Sequence, residues 1–300
     1  MAKTKEKTMF LRPTNDFAFK KLFGNHRHTD IVVSFVNTIL EGYKIAPVVD
    51  VELLDKEQLD YGIEGKTGVV DVRCRDQDGR TFIVEMQVAN DYHFAKRILF
   101  YWSRAFGSML KKNEYYDKLE AVYVIAITNF EVFKEEPCVN SHRISSINTG
   151  SSQFPWLGIS LVELPRFQKS LDELESLSDR WVYFLKSIHC HDDLPTQLSE
   201  SVFNEASDLL REMALTKSEH DLYERVEMHN QIAEVTLRYS VEMSRQEGRQ
   251  EGRQEGRQEG RSEALLGTIR NMLVLNKEPL EIAKLLGISS EELQMLMKTL

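Results

Sequence analysis

Disulfide frameworks, zinc fingers and membrane spans all lack their raw material in this chain. Its 300 residues include three cysteines, Cys74, Cys138 and Cys190. They are odd in number and far apart, so neither a disulfide framework nor a zinc-ligand set is expected. No apolar run approaches the roughly 20 residues that span a bilayer. The opening MAKTKEKTMF carries positive charge without a following apolar stretch, so no secretory signal is expected and the cytoplasm is the default compartment. Positive charge is in deficit. Thirty-eight Lys and Arg face 47 Asp and Glu, a net charge of −9. That balance argues against a protein that coats nucleic acid nonspecifically. It leaves a local basic groove open, because phosphate binding depends on where charge sits. Lys20, Lys21, Arg27, Lys96, Arg97 and Arg104 are the candidates for one.

The chain does have a strong hairpin signal at Val69–Val88, VVDVRCRDQDGRTFIVEMQV. One apolar run carries an isolated acid, Asp71. A turn of Asp76, Gln77, Asp78 and Gly79 follows, and a second apolar run carries Glu85 and Gln87. If the turn centres near Asp78, Asp71 and Glu85 fall opposite each other, about 4.5–5.5 Å apart at Cβ. Two facing like charges destabilise a sheet. A chain that keeps both, between Val70, Val72, Val84 and Met86, points to a compensating cation. Carboxylate oxygens with waters and substrate phosphates are what Mg²⁺ prefers. On the residues alone, Asp71 and Glu85 could also be exposed strand charges, and Asp16 a first-turn acid favoured by the helix dipole.

Four segments resemble the PD-(D/E)XK nuclease superfamily, and within it the branch of recombination-promoting nucleases and transposases. They are LRPTNDFAFKKLFG at Leu11–Gly24, the hairpin Asp71–Gln87, KRILFYWSRAFGSML at Lys96–Leu110, and the QEGR tail with its short terminal helices. The resemblance implies an α/β fold, a restriction-endonuclease-like mixed sheet flanked by helices, with a helical C-terminal extension. It implies metal-dependent hydrolysis of phosphodiester bonds in double-stranded DNA. Asp71 and Glu85 would bind Mg²⁺, with the Met86 carbonyl as a third ligand. Mn²⁺ or Ca²⁺ would be accepted by the same oxygens. Asp16 matches the acid of the family's first helix and would bind a second metal or orient a water. Gln87 stands where the wider superfamily has Lys, and this branch has Gln there. A Gln amide is neutral and cannot serve as a base or a fixed cation. Arg97 and Tyr101, one helical turn apart, would contact phosphate or support the carboxylates.

Periodicity gives the rest of the layout. Helices are expected at 14–24, capped by Thr14 or Asn15, at 31–40, capped by Thr29 or Asp30, and at 91–111. In the last, Phe94, Ile98, Trp102, Ala105 and Met109 recur at helical spacing. Strands are expected at 48–54, 119–128 and 159–164, and helices at 171–187, 194–217 and 222–243. This divides the chain into a nuclease-like core (9–170), a helical extension (171–244), a QEGR segment (245–261) and a small helical tail (262–300). His189, Cys190 and His191 sit at adjacent positions with no fourth ligand nearby, a poor metal set.

Gln246–Arg261 is QEGR four times over. On a helix its Glu and Arg are two apart and make no i,i+4 pairs, while each i,i+4 neighbour is a like charge. Glycine at every fourth position costs about 1 kcal/mol each. An isolated helix is therefore disfavoured. The segment reads as a flexible linker, or as a helix formed when a second chain sets Arg opposite Glu. The second reading makes the protein a homo-oligomer through its C-terminal region. Beyond it, PLEIAKLLG and SEELQMLMKTL resemble a small helix-turn-helix. Its second helix has only Lys298 as a base, so protein docking is expected rather than DNA reading. Two other function classes stay open: a DNA- or protein-binding module of the same fold without turnover, and an interaction protein acting through its tail.

Overall fold

The computed structural model describes residues 10–54, 70–89 and 93–298. The expected boundaries at Met9, Val69, Asp91 and Leu300 lie outside the described residues. Two compact units divide the chain at Glu234/Val235.

The first unit is built on a six-stranded mixed sheet of order β1-β2-β3-β4-β6-β5. β1 (Val51–Leu53), β2 (Val72–Asp76) and β3 (Thr81–Gln87) pair antiparallel. β3 then runs parallel to β4 (Val122–Thr128), and β4 parallel to β6 (Phe154–Glu163). α3 (Phe94–Gly107) makes the crossover from β3 to β4, as parallel strands require.

Alternation along the strands sorts the two faces. Val72, Cys74, Phe82, Val84, Met86, Ile125 and Ile127 join the larger core with α1 (Asp16–Phe23), α2 (Thr29–Leu40), α4 (Leu177–Ser187) and α5 (Ser201–Leu210). Ile83, Val122, Val124 and Ala126 face the other way, onto Phe94, Ile98, Tyr101 and Ala105 of α3. Trp181, fully buried, donates to Ser34 Oγ at 3.0 Å and ties α4 to α2.

The hairpin turn closes as its residues dictate. Asp76 accepts from the backbone N–H of Asp78 (3.0 Å) and Arg80 (2.9 Å) and from Arg80 Nε (2.6 Å). Gly79 supplies the positive φ of 82°. Asn15 caps α1 by accepting from the Phe17 N–H. α2 begins at Thr29, after His28, whose side chain makes no cap bond.

Several expected elements are shorter or broken, and one strand was not expected. The helix expected at 171–187 starts at Leu177, because Ser176 and Asp179 form a capping box there. The helix expected at 194–217 is broken. α5 spans Ser201–Leu210, and Lys217 opens a new helix. β5 (Val139–Ile144) has no counterpart in the sequence reading. It is an edge strand whose last four side chains are exposed, so it carries no apolar alternation.

α6 (Lys217–Val274) is a continuous helix of 58 residues and runs through all four QEGR repeats. The expected resistance of this segment to helix formation is not met. Good helix formers on both sides carry the nucleation cost, so the repeats only propagate an existing helix. In the second unit, Ile269 of α6 packs with Ile282 and Ala283 of α7 (Pro279–Leu286) and Leu293 of α8 (Ser290–Met297). Gly287 ends α7 in the left-handed region and Ser289 caps α8.

Candidate active site

The register of the hairpin builds the site. Val72 pairs with Val84, so one residue further Asp71 opposes Glu85. Two bonds lock them. The Asp71 N–H donates to Glu85 Oε2 (3.2 Å), and the Met86 N–H donates to Asp71 Oδ2 (2.9 Å). Both acids are buried, Asp71 at 7% exposure and Glu85 at 6%. They are not exposed strand charges.

Glu163 shows what a satisfied buried acid looks like in this fold. It accepts from the Val132 N–H (2.9 Å), from Asn140 Nδ2 (3.3 Å) and from Arg166 Nε (2.9 Å). Asp71 and Glu85 instead face each other. Burial pushes the Asp71 carboxyl up to about 6. Neighbouring Asp16 adds to this, while the Met86 N–H and Lys20 restrain it. Burial and then the charge of Asp71 push Glu85 up to about 8, against Arg97 and Lys20. Such a pair is costly without a cation.

α1 brings two more groups. Asp16, in its first turn, is a hydrogen-bond neighbour of Asp71. Lys20, one turn on, bridges the two acids, at 2.5 Å from Asp16 Oδ1 and 3.3 Å from Asp71 Oδ1. Burial alone would lower the pKa of this ammonium, but the bonds and charges of Asp16 and Asp71 raise it. Lys20 entered the sequence reading only as one basic-groove candidate among six. Its spacing of four residues from Asp16 was the available signal.

Gln87 follows Glu85 on the same face of β3. Its amide oxygen accepts from the Arg97 guanidinium and its Nε2 donates to the Ala89 carbonyl (3.0 Å). Arg97 lies over the Phe94 ring, 5.2 Å from its centroid. Tyr101 is buried in the α3 core. Of the other basic-groove candidates, Lys21 pairs with Glu219 of α6 at 2.7 Å, and Arg27 and Lys96 are exposed.

A cleft of about 380 Å³ opens beside Asp16, lined by Leu222, Arg225, Val226, His229 and Asn230 of α6. α6 is fastened next to it. Asn15 Nδ2 donates to Glu227 Oε2 (3.3 Å), and the Arg12 N–H donates to the Tyr223 hydroxyl (3.1 Å). Nothing in the local sequence marks these α6 residues as part of a site.

Among the described residues, another group of metal-type side chains converges elsewhere. The ligand atoms of His28, Asp30 and Glu205 all lie within 4.8 Å of one another. It shares no member with the carboxylate pair.

The profile of the PD-(D/E)XK nuclease family transposases matches residues 13–235, most of the chain. The chain belongs to this family. Comparison with curated proteins and with solved structures gives no further match. The mixed sheet flanked by helices is the restriction-endonuclease-like α/β fold of PD-(D/E)XK proteins. The family is one of nucleases that act on DNA and generally use divalent metals. The carboxylates at this site fit such an ion. Asp71, Glu85 and Asp16 offer carboxylate oxygens, the hard ligands Mg²⁺ and Mn²⁺ take. Among the described residues no helix is long and apolar enough to cross a membrane.

Proposed function

We propose that this PD-(D/E)XK protein is a metal-dependent endonuclease that hydrolyses phosphodiester bonds of double-stranded DNA in the cytoplasm, in recombination, mobile-element movement or defence. One observation carries the reading: Asp71 and Glu85, buried and face to face in adjacent strands. Asp71 and Glu85 would hold the ion, Asp16 would add an oxygen or orient a water, and the Met86 carbonyl is a further donor. Such an ion polarises the phosphate and lowers the pKa of a bound water.

The chain's own groups do the rest. Gln87 holds Arg97 by a hydrogen bond, and Arg97 and Tyr101 of α3 would contact phosphate or support the carboxylates. Arg225 and His229, one helical turn apart on α6, line the cleft that Asp16 opens onto. We assign this cleft to the DNA backbone next to the scissile phosphate. The overall charge of −9 is no obstacle, because the field at the cleft is what the strand meets.

The segmentation into core, extension, repeat and tail belongs to the same reading. Val235, Tyr239 and Val241 of α6 are well exposed, and the repeat glycines have open space around them. We assign this stretch to a second copy of the chain. Deleting residues 235–300 should then lower the sedimentation mass by more than the deleted residues account for.

Conversion of supercoiled plasmid tests the nuclease. Nicked and linear product should appear with Mg²⁺ or Mn²⁺ and not with EDTA. A folded protein that converts no plasmid with any divalent ion would replace this reading with that of a DNA-binding module without turnover. Gln87, neutral where the superfamily has Lys, favours that second reading.

A further inference from the structure

Gln87 leaves a specific vacancy in the chemistry. It cannot lend positive charge to a phosphate, and its amide oxygen is engaged by Arg97. The structure sets an ammonium at the carboxylates Asp16 and Asp71 from another element. Lys20 of α1 reaches both Asp16 and Asp71, and its side chain keeps 30% exposure. Its stem leaves α1 one turn after Asp16, so the ammonium and that acid present themselves together.

We propose that Lys20 is a catalytic residue that replaces the lysine missing at Gln87, and that it alternates between two partners. This rests on the nuclease reading above. Without metal and DNA, the ammonium neutralises Asp16 and Asp71. With those oxygens holding a divalent ion, the Lys20 ammonium would be free to donate a hydrogen bond to a non-bridging oxygen of the scissile phosphate. The Lys side chain suits this exchange, because its four-carbon stem is flexible and its three donors rotate. Arg97 does not, since it is held between Gln87 and the Phe94 ring.

The bond changes are those of hydrolysis. A water oxygen adds to phosphorus, one P–O ester bond breaks, the leaving oxygen gains a proton and the attacking water loses one to solvent. Lys20 stays protonated throughout and stabilises the charge that builds on the phosphate.

The two partners give opposite signs on substitution. In the full-length protein, Lys20→Met should lower plasmid cleavage about 100-fold, the usual cost of one such donor. It should also tighten Mn²⁺ binding to the DNA-free protein, about tenfold by calorimetric titration, because a competing cation is gone. Lys20→Arg keeps the charge and should retain most of the cleavage.

An active wild type whose Lys20→Met variant cleaves equally well would remove this inference and leave the nuclease standing. So would weaker metal binding together with lost cleavage that Lys20→Arg does not restore, since Lys20 would then only brace α1. A wild type that cleaves nothing with any ion would remove the nuclease reading and this inference together.

Discussion

Gln87 accepts a hydrogen bond through its amide oxygen from the Arg97 guanidinium. A lysine there could not accept it and would set an ammonium against a guanidinium. The neutral residue is therefore what the local structure requires. Gln87→Lys should destabilise the fold by about 1–2 kcal/mol, read as a lower urea midpoint, and should not raise cleavage. A Gln87→Lys variant that is more stable or more active would contradict the role given to Arg97.

Stability without metal should depend on pH through Glu85. Its carboxyl is raised from 4.5 to about 8, by burial first and then by Asp71. Folding therefore favours the protonated form. The contribution is complete below about 4.5 and is lost as pH rises through about 8. Urea unfolding in EDTA should show stability falling across that window. Glu85→Gln should flatten the slope, and Mn²⁺ should restore stability at its upper end. An equal slope in the variant would show that Glu85 is not the group responsible.

The α6 cleft predicts a salt signature. Arg225→Ala should weaken binding to all duplex sequences alike and reduce the slope of log K against log salt by about 1. His229→Ala should weaken binding further when combined with it. Anisotropy of a labelled duplex in Ca²⁺ reads both effects. A change confined to particular sequences would instead make Arg225 a base reader.

The first half of the candidate site's geometry was legible in the sequence and its second half was not. Asp71 and Glu85 could be placed opposite each other because the Asp76–Gly79 turn fixes the register of two adjacent strands. Lys20 carried only a local hint, since its meaning depends on α1 meeting the end of β2. Arg225 and His229 are about 150 residues from Asp71 in sequence, and only tertiary packing brings α6 to α1. β5 was invisible because an edge strand with exposed polar side chains has no apolar period. The QEGR repeats misled in the other direction. Their propensities describe an isolated peptide, whereas here they extend a helix already nucleated at Lys217.

Glu85→Gln in the plasmid assay tests the central claim most directly. The amide keeps the size of the carboxylate and can still meet the Asp71 N–H, so the hairpin is retained, but the metal-binding charge is lost. Cleavage that needs Mg²⁺ or Mn²⁺ in the wild type and falls by three or more orders of magnitude in a folded Glu85→Gln is the predicted result. Cleavage at an undiminished rate would show that the Asp71–Glu85 pair is not the metal site.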